Sequence, residues 1–395
     1  MKIDLTEQTP KTLARILKNH LEKDILDFWL KHGIDDVDGG YLNSLDRRGE
    51  VYNTDKWSYT QTRLVYAFSE GYRLFNKEVY KQAAQQGFDF YTQTFWDKNH
   101  GGWFSTVNRA GQPIMPEKRT YNFAFVVYCF SEYYKNIGDE RALQHINTTI
   151  ELLDTKLADN LNSGWYEQLS KDWSVVLNPG KTFNSPMHLL EAMLSGYENI
   201  DKRSFLDRMD GIIQLMENRC LYQPKGLYLE QFQSDWTPKL QDGKPIVNYG
   251  HLMETAFFFL KLADVLNNDI LRQRAFPFID FCMKYGWNEK VGMACFGSPD
   301  GGHDLIYSYW CQSETLAALA RSYRVTQEHK FWDWLIKHIN VIFTQFADPE
   351  YGEWFIRRDP DGRIAENSKG ANHKACYHLT QALSCAVADL EAVSF

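Results

Sequence analysis

Residues 249–260 read YGHLMETAFFFL. Apolar side chains fill nearly every position, the pattern of a helix buried on all sides, yet His251 and Glu254 stand three residues apart and so share one face. A single histidine in such a helix is ordinarily a satisfied core residue. This stretch means more because five others can be laid over it without gaps. They are SYTQTRLVYAFSEGYRLF (58–75), YNFAFVVYCFSEYYKNI (121–137), SPMHLLEAMLSGYENI (185–200), YWCQSETLAALARSYRV (309–325) and KACYHLTQALSCAVADLEAV (374–393). Each is apolar almost all round. The segments between them, such as NKEVYKQAAQQGFDFYTQTF and DERALQHINTTIELLDTKL, are amphipathic with one charged face.

A second signal punctuates these helices. A glycine followed by aromatics recurs as GGYL at Gly39, GGWF at Gly101, SGWY at Ser163, KGLYL at Lys225, VGMACF at Val291 and YGEWF at Tyr351, at steps of roughly 60 to 66 residues. Six units of one buried and one half-exposed helix predict an all-α fold, an (α/α)6 barrel. Six inner and six outer helices would be joined by short hairpins at one mouth, with residues 1–395 forming one domain. An open α-solenoid would need polar capping repeats at its ends, and neither end reads as one.

Composition narrows the function by exclusion. The formal charge of −8 and the lack of a Lys/Arg run argue against nucleic-acid or anionic-membrane partners. No stretch approaches about 18 uninterrupted apolar residues, and the first residues have no apolar signal core, so no membrane association is expected. Seven cysteines without a C-x-x-C pair point to a reducing, cytoplasmic setting rather than a disulfide framework or structural zinc. The 12 Trp, 22 Tyr and 25 Phe are chiefly helix-packing bulk, and they also suit a cleft that receives sugar faces.

Overlaying the inner helices places Arg63, Phe125, His188, His251, Glu314 and His378 at equivalent positions, about 62 to 64 residues apart. One turn further on the register reads Tyr66, Tyr128, Glu191, Glu254, Ala317 and Gln381. One turn earlier it reads Tyr59, Tyr121, Asn184, Val247, Trp310 and Lys374. In a closed ring, equivalent positions converge on the axis. Unpaired buried charges are costly, so this convergence predicts a polar pocket at the N-terminal mouth of the inner ring, floored by apolar side chains. His20, His32, His100, His145, His303, His329 and His338 sit on charged faces or in loops, so most of them read as surface residues, and His373 is left open by its closeness to His378.

Several chemistries fit such a pocket. The two His-x-x-Glu pairs, His188/Glu191 and His251/Glu254, raise a metal site, although carboxylate-bridged di-metal centres use the reverse order and further carboxylates. A glycoside hydrolase would use Glu254 and Glu314 and leave the histidines idle. A non-catalytic carbohydrate-binding toroid is a third reading. Proton transfer at carbon uses the set best. Imidazoles can take and return a proton near neutrality, Arg63 can hold an enediolate oxygen, and Glu254 can polarise the substrate or set the tautomer of His251. Bases on both faces would epimerise; one base moving a proton between neighbouring carbons would isomerise.

The pieces DVDGGYLNSLDRRGEVYNTDKWSYTQTR, YGHLMETAFFFL, YWCQSETLAALA, FADPEYGEWFIRRDPDGR and KACYHLTQAL resemble the N-acylglucosamine 2-epimerase superfamily, which includes cellobiose 2-epimerases, mannose 2-epimerases and mannose isomerases. The resemblance covers nearly the whole chain. It implies an (α/α)6 fold, no cofactor or catalytic metal, and action at C2 of a free reducing sugar through an enediolate. It implies further that His251 and His378 are the acid/base pair and that Arg63, in Gln61-Thr62-Arg63, stabilises the enediolate. Glu254 matches the GH-x-x-E motif, and Trp310, Gln312 and Glu314 match W-x-Q-x-E, with Glu314 orienting His378. His188 and Glu191 resemble the M-H-x-x-E-A helix of the mannose and cellobiose branches, where the histidine serves ring opening. Asn184, Tyr121, Trp310, Gln312 and Phe257 complete the expected sugar contacts. Phe257 stands where cellobiose epimerases carry tryptophan, and His188 is absent from N-acylglucosamine epimerases. Together these favour an unmodified monosaccharide, mannose first, handled by a monomer or homodimer.

Overall fold

In the computed structural model, which describes residues 9–302 and 304–393, 56% of the chain is helical. Helix α1 (Pro10–His20) runs through a π-helical turn into α2 (Asp27–His32). Long helices then alternate: α3 (Ser58–Phe75), α4 (Glu78–Thr94), α5 (Thr120–Ile137), α6 (Arg141–Leu152), α7 (Asn184–Asn199), α8 (Lys202–Leu215), α9 (Tyr249–Leu266), α10 (Asp269–Tyr285), α11 (Tyr309–Thr326), α12 (His329–Val341) and α13 (Tyr377–Glu391). The odd-numbered helices from α3 on are the apolar ones and are buried along most of their length. Each packs on the next, and α13 returns to α3. The amphipathic helices α4, α6, α8, α10 and α12 each lie against their preceding apolar helix, and α1 covers α13. Among the described residues no helix is long and apolar enough to cross a membrane.

The glycine-aromatic pieces pair antiparallel with the chain leaving the preceding outer helix: Ile34 with Tyr41, Trp96 with Trp103, Ala158 with Trp165 and Ala347 with Trp354. Tyr222 pairs likewise with Leu227, and Trp287 with Met293. Gly292 shows why glycine is needed, because its φ of +83° is left-handed and a Cβ would lie 2.3 Å from Gln312 Oε1. Buried lysines brace four of the turns, with Lys56 on Asp35 at 2.9 Å, Lys118 on Asp97 at 3.1 Å, Lys181 on Asp159 at 2.7 Å and Lys369 on Asp348 at 3.0 Å. Two of the histidines expected at the surface are core residues. His20 Nδ1 meets Asp24 at 2.6 Å, and its Nε2 accepts from Trp354 Nε1 at 2.8 Å. His338 Nε2 donates to the Gln312 carbonyl at 2.7 Å. Both lie on helix faces whose polar residues flank an apolar stripe, so neighbouring charge misplaced them outside. His145 is half-buried, and His303 lies outside the described residues.

Candidate active site

The inner helices give their own register. The backbone N–H groups of Ser58, Thr120, Phe183, Tyr249 and Tyr309 donate to the carbonyls of Ser105, Glu167, Glu230, Cys295 and Ile356, so each helix start is tied to the next unit's hairpin. Helices α3, α5, α9 and α11 are each 18 residues long and end on a left-handed residue: Asn76, Gly138, Asn267 and Gln327. Alignment on both ends puts Arg63, Phe125, Glu254 and Glu314 at one level, with His188 level with them from Phe183. The sequence overlay placed His251 there. Glu254 holds that place instead, His251 sits one turn nearer the mouth with Trp310, and Phe257 takes the deeper level assigned to Glu254. Val247, assigned to the mouth layer, lies in a strand paired with Gly297. A longer connection before α9 moved its register by one turn, which keeps the same helix face and so hides the shift from periodicity.

Three imidazoles are each held at Nδ1 by a carboxylate. His251 meets Glu230 Oε2 at 2.8 Å, His378 meets Glu314 Oε1 at 2.7 Å, and His188 meets Glu191 Oε2 at 2.8 Å. The expected contact between Glu314 and His378 is present. The partner of His251 is Glu230 rather than Glu254, a residue the sequence reading missed. Glu230 and Glu167 occupy equivalent places after the glycine turns KGLYL and SGWY, and hairpin alignment would have shown it. Nδ1 engagement leaves Nε2 of each ring uncommitted, fixing ring orientation and tautomer. The indole of Trp310 lies between the two outer imidazoles, 5.1 Å from His251 and 5.9 Å from His378 between ring centroids. Glu191 is tied deeper still, accepting from Gln381 Nε2 at 2.6 Å and from the hydroxyl of Tyr377.

Glu254 stands at the centre, 0% exposed, with neither oxygen hydrogen-bonded, and 4.0 Å from His188 Nδ1. Burial, reinforced by the charges of Glu314 and Glu191, pushes its carboxyl well above the usual range, which favours the neutral acid. Burial likewise raises Glu314. It lowers His378 well below an ordinary imidazole, with Arg63 adding to the effect, and takes His188 down to about 4 against the pull of Glu191. The Arg63 guanidinium lies 4.0 Å over Phe125 and 4.8 Å over Tyr377, and donates to the Tyr121 hydroxyl. Arg63 and Tyr121 also line a cavity of about 360 Å3 with Tyr59, Asn184, Arg119 and His373. Asn184 Oδ1 has no partner among the described residues.

Two expected sugar contacts lie elsewhere. The Gln312 amide is engaged by the backbone N–H and carbonyl of Met293 and the carbonyl of Ser308, at 2.8–3.0 Å; it braces a hairpin, as Gln61 does at Tyr41. Phe257 borders a separate cavity of about 140 Å3 with Tyr66, Tyr128, Glu191 and Gln381. Lys374, placed in the mouth layer by the overlay, is buried in an ion pair with Glu353. His188, His251 and Glu254 form one set of potential metal ligands, and Glu254, Glu314 and His378 another.

Carboxylate-held histidines stand around a buried acid and an arginine on a mostly helical frame, an arrangement chemically able to move protons. The model of the N-acylglucosamine 2-epimerase (GlcNAc 2-epimerase) family matches residues 40–382, and the chain belongs to that family. It is a carbohydrate epimerase or isomerase. The chain is 26% identical to the cellobiose 2-epimerase of Bacteroides fragilis, over 93% of this chain and 97% of that one. It is 25% identical to the D-mannose isomerase of Marinomonas mediterranea, over 92% and 94%. The structure of cellobiose 2-epimerase from Spirochaeta thermophila superposes with a TM-score of 0.89 at 24% identity, covering 97% of each chain.

Proposed function

We propose that the chain interconverts free reducing monosaccharides at C2, mannose first, by 2-epimerisation or aldose–ketose isomerisation. The frame is read as a single (α/α)6 barrel domain, working without a cofactor as a cytoplasmic monomer or homodimer; the closed sequence of helix contacts supports the barrel, and seven free cysteines suit a reducing compartment. The observation that carries the reading is the pairing of His251 with Glu230 and His378 with Glu314 on either side of Trp310.

In this mechanism an uncommitted Nε2 takes the C2 proton of the open-chain sugar, and the carboxylate on Nδ1 stabilises the imidazolium that forms. Charge then develops on the substrate oxygen, where Arg63 stabilises it and the neutral Glu254 can donate a hydrogen bond. For the epimer, the second imidazole enters the cycle carrying a proton on Nε2 and gives it to the opposite face of C2, while the first keeps the proton it took until exchange with solvent resets the pair. Return to C1 gives the ketose. His188 serves ring opening, and Tyr121, Asn184 and Trp310 hold the sugar. Hydrolysis is disfavoured because it would leave the carboxylate-held histidines idle. The ligand oxygens of Glu254 and Glu314 lie within 4.8 Å of each other, short of the roughly 6.5–9.5 Å that an inverting pair needs, and a retaining pair needs a free carboxylate nucleophile, whereas Glu314 is bonded to His378.

Mannose is supported by the D-mannose isomerase relative and by His188. Cellobiose is a second reading, favoured by the B. fragilis relative and by a cavity beside Arg63 that reaches Arg119 and His373. N-acylated glucosamine is supported by the family name and by relatives that are N-acylglucosamine 2-epimerases, such as that of Mus musculus at 24% identity. Mannose incubated with the enzyme in D2O and followed by proton NMR decides among them. Glucose deuterated at C2 identifies an epimerase and fructose an isomerase. Inert mannose with turnover of cellobiose or N-acetylmannosamine overturns the choice of sugar.

A further inference from the structure

We propose that His188, His251 and Glu254 form a binding site for a divalent metal ion of zinc type, and that its occupation shuts the sugar pocket. One ligand atom from each of the three lies within 4.8 Å of the others. Two imidazoles and one carboxylate, with an open fourth position, are a recognised zinc donor set. Such sites hold their histidines by hydrogen bonds from the other ring nitrogen. Glu191 and Glu230 already engage Nδ1 of His188 and His251, so the ion would take Nε2 of each ring, the His188 ring shifting from the orientation that holds its Nδ1 4.0 Å from Glu254.

The third ligand is the more telling. Both oxygens of Glu254 are fully buried with no hydrogen-bond partner among the described residues, an unsatisfied arrangement that a cation would relieve. Four carboxyls, of Glu191, Glu230, Glu254 and Glu314, surround this part of the axis, with the Arg63 guanidinium among them. On binding, the Glu254 carboxyl gives its proton to solvent and a carboxylate–metal bond replaces the O–H bond. Glu254 also belongs to the set with Glu314 and His378. That set offers one nitrogen, and Glu314 is already bonded to His378, so the two-histidine set suits zinc better. A metal on Nε2 of His251 occupies the lone pair that would take the substrate proton. That consequence rests on the function proposed above; metal binding does not.

Protein stripped with a chelator and dialysed is titrated with Zn2+ by calorimetry in buffers of different ionisation enthalpy, and with Co2+ by visible absorption. The expected result is one ion per chain with release of about one proton and a tetrahedral Co2+ spectrum. His188→Asn and Glu254→Gln lose binding. Glu230→Gln, which leaves every ligand in place, weakens it about 10–100-fold, and His378→Asn leaves it within about tenfold of wild type. Thermal melts establish that each variant is folded. Absence of saturable binding overturns the proposal, as does binding that survives Glu254→Gln or is lost in His378→Asn but kept in His188→Asn. Zinc bound at this site but not displaced by mannose or cellobiose would leave the metal site standing and count against the proposed function.

Discussion

Glu254 is buried with neither oxygen satisfied, and a core residue selected for stability alone would not keep a carboxyl there. As a neutral acid it resembles its amide in shape and charge. Glu254→Gln is therefore expected to leave the melting temperature unchanged or slightly raised while turnover falls by about 10²-fold or more; thermal denaturation and steady-state rates check both halves. Loss of stability with activity intact would make Glu254 a packing residue. The sequence showed His251, His378, Arg63 and Glu314 because ionisable residues in apolar helices stand out. It concealed Glu230, which sits in a hairpin where a glutamate is unremarkable, and it credited Gln312 and Phe257 with sugar contacts. The Gln312 amide belongs to the backbone of Met293, and Phe257 lies one turn too deep.

At the scale of elements, the register of α9 is where the residues misled. Apolar periodicity identifies a helix and its face, but a shift of three or four residues preserves both. The glycine-aromatic turns carried the missing information. Their uneven steps of roughly 60 to 66 residues reflect connections of unequal length, whereas the even spacing assumed for the helices moved His251 down a turn. The buried Lys–Asp braces recur in the same way and also went unread. Lys118→Met strands Asp97, 1% exposed, without its cation, and is expected to cost about 3–5 kcal/mol in urea denaturation. The double variant Lys118→Met/Asp97→Leu is expected to recover much of that loss. No difference between single and double variants would show that the brace does not hold the turn.

The whole molecule encloses histidines that must stay neutral. Burial takes both His188 and His338 from 6.5 to about 4. Between those values the unfolded chain binds protons that the folded chain does not, so stability rises with pH through this window. Going down, stability is expected to fall from pH 6.5 to about 4, by about 3 kcal/mol for each histidine, and these two groups add nothing further below. His338 is remote from the proposed chemistry, and His338→Gln keeps a donor for the Gln312 carbonyl. Chemical denaturation at stepped pH should show a flatter acid limb for that variant. An unchanged limb would show that His338 is charged in the fold.

The central claim is that His251 and His378, each set by its carboxylate, move the proton. His251→Asn and His378→Asn are to be incubated with the accepted sugar in D2O, with product formation and C2 deuteration followed by proton NMR. The account predicts that each variant loses turnover by about 10²–10⁴-fold with an unchanged melting curve. Turnover within about tenfold of wild type in either variant would contradict it.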